Sequence, residues 1–238
     1  MTNRKPLLWF AMTAAMFAAN GAEATVITVA NPSFEILPAG GLTVDGCGPG
    51  CVYSIDAPIP GWTSAGTFWG QFQPGVQDAN FTYFNSVPDG ITVAYMESAG
   101  TIEQTVAVVA QAGVTYTLQV DLGFRKDFPD PGTITLLIGS TPVVAIGIPA
   151  PFSGNWANYT ATYTALATDA GDPISILLSS TGTQGDFDNV RLSDNLVAGV
   201  PEPSTLALFG FGFVGLVGVH ALRPSPVRTA RGGRLRSA

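Results

Sequence analysis

The sequence predicts an all-β fold, a β-sandwich of the jelly-roll kind, and three observations carry that expectation. Short runs rich in Thr, Val, Ile and Tyr recur along residues 25–193. Several of them alternate apolar and polar side chains with the period of two that a half-buried strand requires. Clusters of Gly, Pro, Asn and Asp separate the runs, and no stretch between 25 and 200 keeps a helical period. Eight or so strands at regular turn spacing read as two packed antiparallel sheets.

Along the chain, residues 25–30 supply the first strand in an unbroken apolar and threonine run. Pro88-Asp89-Gly90 is a turn that leads into a strand at 91–96, and 101–108 follows after a short break. Residues 115–122 alternate most cleanly, with Tyr116, Leu118, Val120 and Leu122 on one face. Asp130-Pro131-Gly132 turns the chain into 133–138, and 156–165 forms a long Thr- and Tyr-rich strand. After Ala170-Gly171-Asp172-Pro173 come 174–179 and then 186–192, the last strand of the domain.

The ends of the chain carry addresses. Arg4 and Lys5, an apolar run over 7–19 and Ala22-Glu23-Ala24 have the order of a secretory signal peptide, residues 1–24, so the mature chain starts near Thr25. At the other end a short linker, 194–200, precedes Pro201-Glu202-Pro203, an apolar run over 206–222 and the arginines 223, 228, 231, 234 and 236. At about 1.5 Å per residue that run spans roughly 25 Å, just short of a hydrocarbon core of about 30 Å, which predicts a transmembrane helix. The arginines hold the tail in the cytoplasm and leave the domain outside.

The Pro-Glu-Pro triplet, apolar helix and arginine tail of 201–238 together resemble the PEP-CTERM sorting signal of exported Gram-negative bacterial proteins. The resemblance implies an exosortase-type membrane protease as partner. It also implies a destination at the cell surface, the outer membrane or the extracellular matrix after processing. Membrane contact before processing runs through 206–222.

Removing both ends changes the charge. Residues 25–200 keep three basic side chains (Arg125, Lys126 and Arg191) against fifteen acids, a formal charge of −12. Such a domain repels nucleic acid and anionic lipid, and it suits cations and neutral partners. The only cysteines, Cys47 and Cys51, are expected to form a disulfide outside the cytoplasm and to close a tiny loop. Zinc is excluded as their purpose, because the exported region has no histidine to complete a site.

A second resemblance lies at the ends of the domain. Asn31-Pro32-Ser33-Phe34-Glu35 and Asp186-Phe187-Asp188-Asn189-Val190-Arg191-Leu192 are similar to the first and last strands of galactose-binding-like, carbohydrate-binding jelly rolls. Pro60-Gly61-Trp62 and Ile102-Glu103-Gln104-Thr105 fall between them in the same order. The resemblance implies a structural calcium ion held by Glu35 and Asp188, a use that suits hard oxygen ligands.

Aromatics crowd residues 62–84, and among them Trp69, Phe72 and Tyr83 are the candidates for a sugar-stacking platform, against the competing role of core packing. A catalytic triad is excluded, since the sole histidine, His220, lies in the membrane segment. Asp127 with Asp130, or Glu97 with Glu103, are the carboxylate pairs a glycoside hydrolase would need. The expectation is an exported, non-catalytic surface or matrix protein that binds polysaccharide, with a glycoside hydrolase as the alternative.

Overall fold

The computed structural model describes residues 24–48, 50–75, 83–127, 132–149, 154–180 and 182–196. Contact clustering divides the chain into Met1–Val197 and Ala198–Ala238. The second unit lies outside the described residues, as do the signal peptide, Pro201-Glu202-Pro203 and the apolar run. No helix among the described residues is long and apolar enough to cross a membrane.

Among the described residues thirteen strands follow one another: β1 (Thr25–Ile27), β2 (Val44–Asp45), β3 (Cys51–Tyr53), β4 (Thr63–Ala65), β5 (Trp69–Pro74), β6 (Val93–Glu97) and β7 (Thr101–Val109). Next come β8 (Thr115–Phe124), β9 (Thr133–Ile138), β10 (Thr141–Val144), β11 (Asn155–Thr164), β12 (Pro173–Ser179) and β13 (Gln184–Asp194), with a single 3-10 turn at Ala167–Asp169. They form two antiparallel sheets. The larger runs β11-β8-β13-β6-β5-β3-β2, with β1 also paired to β13; the smaller runs β10-β9-β12-β7-β4. The fold is a jelly-roll sandwich, as the alternation predicts.

The inter-sheet core follows from that alternation. Tyr116, Leu118, Val120, Leu122 and Phe124 of β8 face Ile134, Leu136 and Ile138 of β9 and Ile174, Ile176 and Leu178 of β12 in one apolar cluster. Each such side chain contributes about 1.5–3 kcal/mol by leaving water.

All eight expected strands are present, β9 with the expected bounds and the others with shifted ones. β1 ends at Ile27 rather than at residue 30, because the Gln104 side chain takes over: its Oε1 accepts from Ala30 N and its Nε2 donates to Ala30 O. β13 runs on to Asp194, and Leu196 packs on the core, so the linker begins later than residue 194. Five strands were not foreseen. β2, β3 and β4 are too short to show a period, β5 mixes Gly, Gln and Pro into Trp-Gly-Gln-Phe-Gln-Pro, and β10 carries Pro142 on the edge of its sheet, where a missing N–H does little harm.

The middle of the larger sheet is buried on both faces. In β6, Ala94 and Met96 join the inter-sheet core, while Val93 and Tyr95 join a second cluster with Cys51, Phe72 and Phe84. That second cluster lies on the outer face of the sheet, and it positions the site.

Candidate functional site

Period-two geometry sets the outer face. β6 and β13 pair with Tyr95 opposite Asp186 and Glu97 opposite Gln184, so all four side chains stand on the same side. β3 and β5 add Tyr53 opposite Phe72. Arg125 follows directly on β8, and Tyr83 with Phe84 comes in from the segment before β6. Gly123 lets this face close up: a Cβ there would stand 2.9 Å from the Phe84 ring and 3.0 Å from the Asp186 Cβ. Phe84 in turn stacks on Trp156 at 4.6 Å between centroids.

The result is a cavity of about 290 Å³ lined by Tyr53, Phe72, Tyr83 and Tyr95 as its apolar walls and by Glu97, Arg125 and Gln184 as its polar side, with Cys47 also in the lining. A chain of hydrogen bonds runs behind it. Arg125 donates to both oxygens of Asp127, at 2.9 and 2.7 Å, and to Gln184 Oε1 at 2.6 Å. Gln184 Nε2 donates to Asp186 Oδ1 at 2.7 Å, which leaves Asp186 one hydrogen bond behind the wall. Asp186 Oδ2 is buried and has no hydrogen-bond partner among the described residues.

Burial dominates the electrostatics here. It pushes the Asp186 carboxyl up to about 7 against the opposing pull of Arg125 and Gln184. Burial also raises Glu97, again opposed by Arg125. Two carboxyls beside one cavity are thus biased toward the protonated form, which is the form that donates a proton.

The foreseen residues are placed unevenly. Phe72 and Tyr83 meet, 6.3 Å apart and at 81°, and both line the cavity. Trp69 does not join them, because it stands opposite Met96 and packs toward the inter-sheet core. Trp62 is a core residue whose Nε1 donates to Asn31 O. Cys47 and Cys51 form the expected disulfide, and Tyr83 OH donates to Cys47 O at 2.6 Å. Glu103 lies on β7 in the smaller sheet and forms no pair with Glu97, while Asp130 falls outside the described residues.

Glu35 and Asp188 meet at one turn rather than at one point. Glu35 Oε1 accepts from the N–H groups of Ile91 and Thr92, and Asp188 Oδ2 accepts from Asp89 N. Burial raises Asp188 to about 8, with Asp89 and Asp121 adding to the shift. The chemistry of a buried carboxylate suits a hard cation, which Glu35 and Asp188 would be the side chains to hold. Yet no group of three His, Cys, Asp or Glu converges among the described residues, so backbone oxygens would have to supply most of the shell.

Asp186, Gln184, Arg125, Tyr53 and Tyr95 were not foreseen as a site. The readable signal was the polar series Gln184, Asp186 and Asp188 at period two in a strand that had to be central.

An aromatic-walled cavity with a buried acid behind it thus lies on the outer face of the jelly roll. The family model described as HpiC1 cyclase matches residues 25–193, and the chain belongs to that HpiC1-like family. This stands against the expectation of a non-catalytic module. The PEP-CTERM protein-sorting motif matches residues 199–223, as the tail predicts, and marks the chain as an exported protein.

Solved structures agree on the domain. An apo cyclase from Fischerella sp. is 27% identical, with a TM-score of 0.56 over 73% of this chain and 98% of that one. A Stig cyclase, FisC, from Fischerella sp. TAU, bound to (3Z)-3-(1-methyl-2-pyrrolidinylidene)-3H-indole, gives 27%, 0.56, 72% and 98%. A cyclase from the same source bound to 4-(1H-indol-3-yl)butan-2-one gives 27%, 0.55, 72% and 98%. The CBM22-1 xylan-binding domain of Paenibacillus barcinonensis Xyn10C is matched at 12% identity and a TM-score of 0.39, over 76% of this chain and all of that one. That likeness is too loose to bear on a ligand. Among curated proteins nothing matches.

Proposed function

We propose that the exported domain binds a small ring-bearing molecule in the outer-face pocket and promotes an acid-assisted ring closure on it. The observation that carries this reading is the conjunction of four aromatic walls with Asp186, a buried acid with one unpartnered oxygen, one hydrogen bond behind them. Asp186 and Glu97 are the candidate proton donors, while Gln184 and Arg125 position Asp186. A proton added to an unsaturated side chain is returned when the ring system regains its aromaticity, so substrate and product are isomers. Indole ligands in the related cyclases support a flat, apolar ring as the substrate class.

The test uses 4-(1H-indol-3-yl)butan-2-one for binding and indoles with an unsaturated side chain for turnover. The mature protein is expected to bind the ketone saturably, with Tyr53→Ala weakening binding about tenfold. It is expected to convert an unsaturated indole to a ring-closed isomer of equal mass, and Asp186→Asn is expected to bind without converting. Absence of both binding and isomerisation across such a set would overturn the proposal.

The sorting motif favours a second reading, in which the pocket takes part of a surface polysaccharide. Phe72 and Tyr83 would then stack on a sugar ring, with Glu97, Arg125 and Gln184 bonding its hydroxyls. Saturable binding on a glycan panel, with no affinity for indoles, selects this reading over the first. In either case the place of work is the cell surface, reached after cleavage by an exosortase-type protease.

A further inference from the structure

The walls of the pocket form a box rather than a slot. Tyr53 and Tyr95 stand 6.5 Å apart at 73°, Phe72 and Tyr95 5.8 Å apart at 83°, and Phe72 and Tyr83 6.3 Å apart at 81°. Rings set near right angles cannot all stack on one flat ligand. They surround a compact group from several directions, and ring faces carry the negative part of the aromatic quadrupole. One cation already exploits this: the Arg125 guanidinium carbon lies 4.1 Å from the centre of the Tyr83 ring.

The charges around the box are unbalanced. Asp127 chelates Arg125 and offsets its charge, which leaves Glu97 as the acid in the cavity lining, and a cation seated beside it favours its ionised form. A neutral ligand would draw nothing from that excess, whereas a cation gains from both the rings and the field. The domain as a whole, at −12 over residues 25–200, steers in the same direction.

We infer that this pocket selects a ligand that carries a positive charge on a compact, apolar nitrogen centre, a tertiary or quaternary ammonium or a protonated ring nitrogen. The inference rests on the pocket of the proposed function and adds to its ring-bearing ligand a compact, positively charged nitrogen centre that the box surrounds.

Calorimetric titration of the mature protein with matched probes tests it. Choline and 3,3-dimethyl-1-butanol have the same shape and differ in charge, and 4-(1H-indol-3-yl)butan-2-one serves as a neutral ring. Choline is expected to bind about tenfold more tightly than the alcohol, the size of one or two cation–π contacts. Glu97→Gln is expected to narrow that gap several-fold, and Tyr53→Leu, at a half-buried wall, to narrow it without unfolding the domain. Equal affinities for the two probes, with the indole still bound, would overturn the cation preference and leave the pocket standing. Failure of all three probes to bind would remove pocket and preference together.

Discussion

Burial sets the charge of Asp186 and Asp188 more strongly than their neighbours do. Desolvation raises them to about 7 and about 8, far above the ordinary aspartate value, and hydrogen bonds from Gln184 or from backbone N–H groups only offset it in part. The sign of the consequence is fixed by proton uptake. Between the unfolded value near pH 4 and these raised values, the native state holds protons that the unfolded chain has lost. Stability is therefore greatest at the acid end of that window and declines as pH rises through it. Asp169 works in the opposite sense: the Tyr163 hydroxyl and Leu166 N–H hold it below its usual value, so its contribution is lost only in stronger acid. The melting temperature is expected to fall by several degrees from pH 5 to pH 8. Asp186→Asn, which keeps the shape and removes the charge, should flatten the decline. Calcium added at pH 8, where Asp188 is about half ionised and a bound cation favours the charged form, should restore part of it, and Asp188→Ala should abolish that restoration. Melting curves that rise with pH would contradict the burial argument, and identical curves with calcium and chelator would leave Glu35 and Asp188 as braces of the turn alone.

At the scale of elements, the disulfide serves the pocket more than the core. It closes so short a loop that chain entropy assigns it only about 2 kcal/mol. But Cys51 packs with Phe72 and Tyr95, and Cys47 lines the cavity and accepts the Tyr83 hydroxyl. The bridge staples the connection between β2 and β3, strands two and three residues long at the edge of the larger sheet. So short a hairpin has little to hold it once the bridge opens. Reduction, or Cys47→Ser with Cys51→Ser, is expected to weaken indole or choline binding about tenfold while the melting temperature moves by only a few degrees. An unchanged affinity after reduction would separate the bridge from the site.

The same elements show how far the sequence could be read. β8 was legible because one face enters the inter-sheet core and its alternation is undiluted, and β9 and β12 because short runs rich in Ile and Leu stand between turn residues. β2, β3 and β5 were not, and they bring Tyr53, Phe72 and the disulfide to the pocket. β6 was found as a strand, but its second buried face, through Val93 and Tyr95, reads in sequence as mere hydrophobicity. Two-sided burial hides the period that would reveal a site. Asp186 was visible only as part of a strand motif, because nothing in a linear string tells which of fifteen acids will lose its water.

The whole chain is organised by where its charges lie. Seven of its ten basic residues sit in the terminal segments, and the domain between them keeps three against fifteen acids. That division has little bearing on the sandwich core, which is apolar, but it bears on export: an acidic domain is expected to cross while an arginine-rich tail stays behind. The sorting motif at residues 199–223 includes both Pro201-Glu202-Pro203 and the apolar run. The two parts have separable tasks, since retention needs the apolar length and processing needs a feature that a protease can read. Changing Pro201, Glu202 and Pro203 together to alanine leaves 206–222 and the arginines intact, and alanine favours helix. In a host with an exosortase-type protease, the triple variant is expected to accumulate at full length in the inner membrane, while the unaltered chain is shortened and released. Deleting 206–222 should instead abolish retention without any cleavage. The readout is fractionation with mass analysis of the C-terminus, and it does not depend on the ligand. Release of the triple variant at the normal rate and with the normal C-terminus would assign processing to some other part of the tail and reduce the triplet to an incidental match.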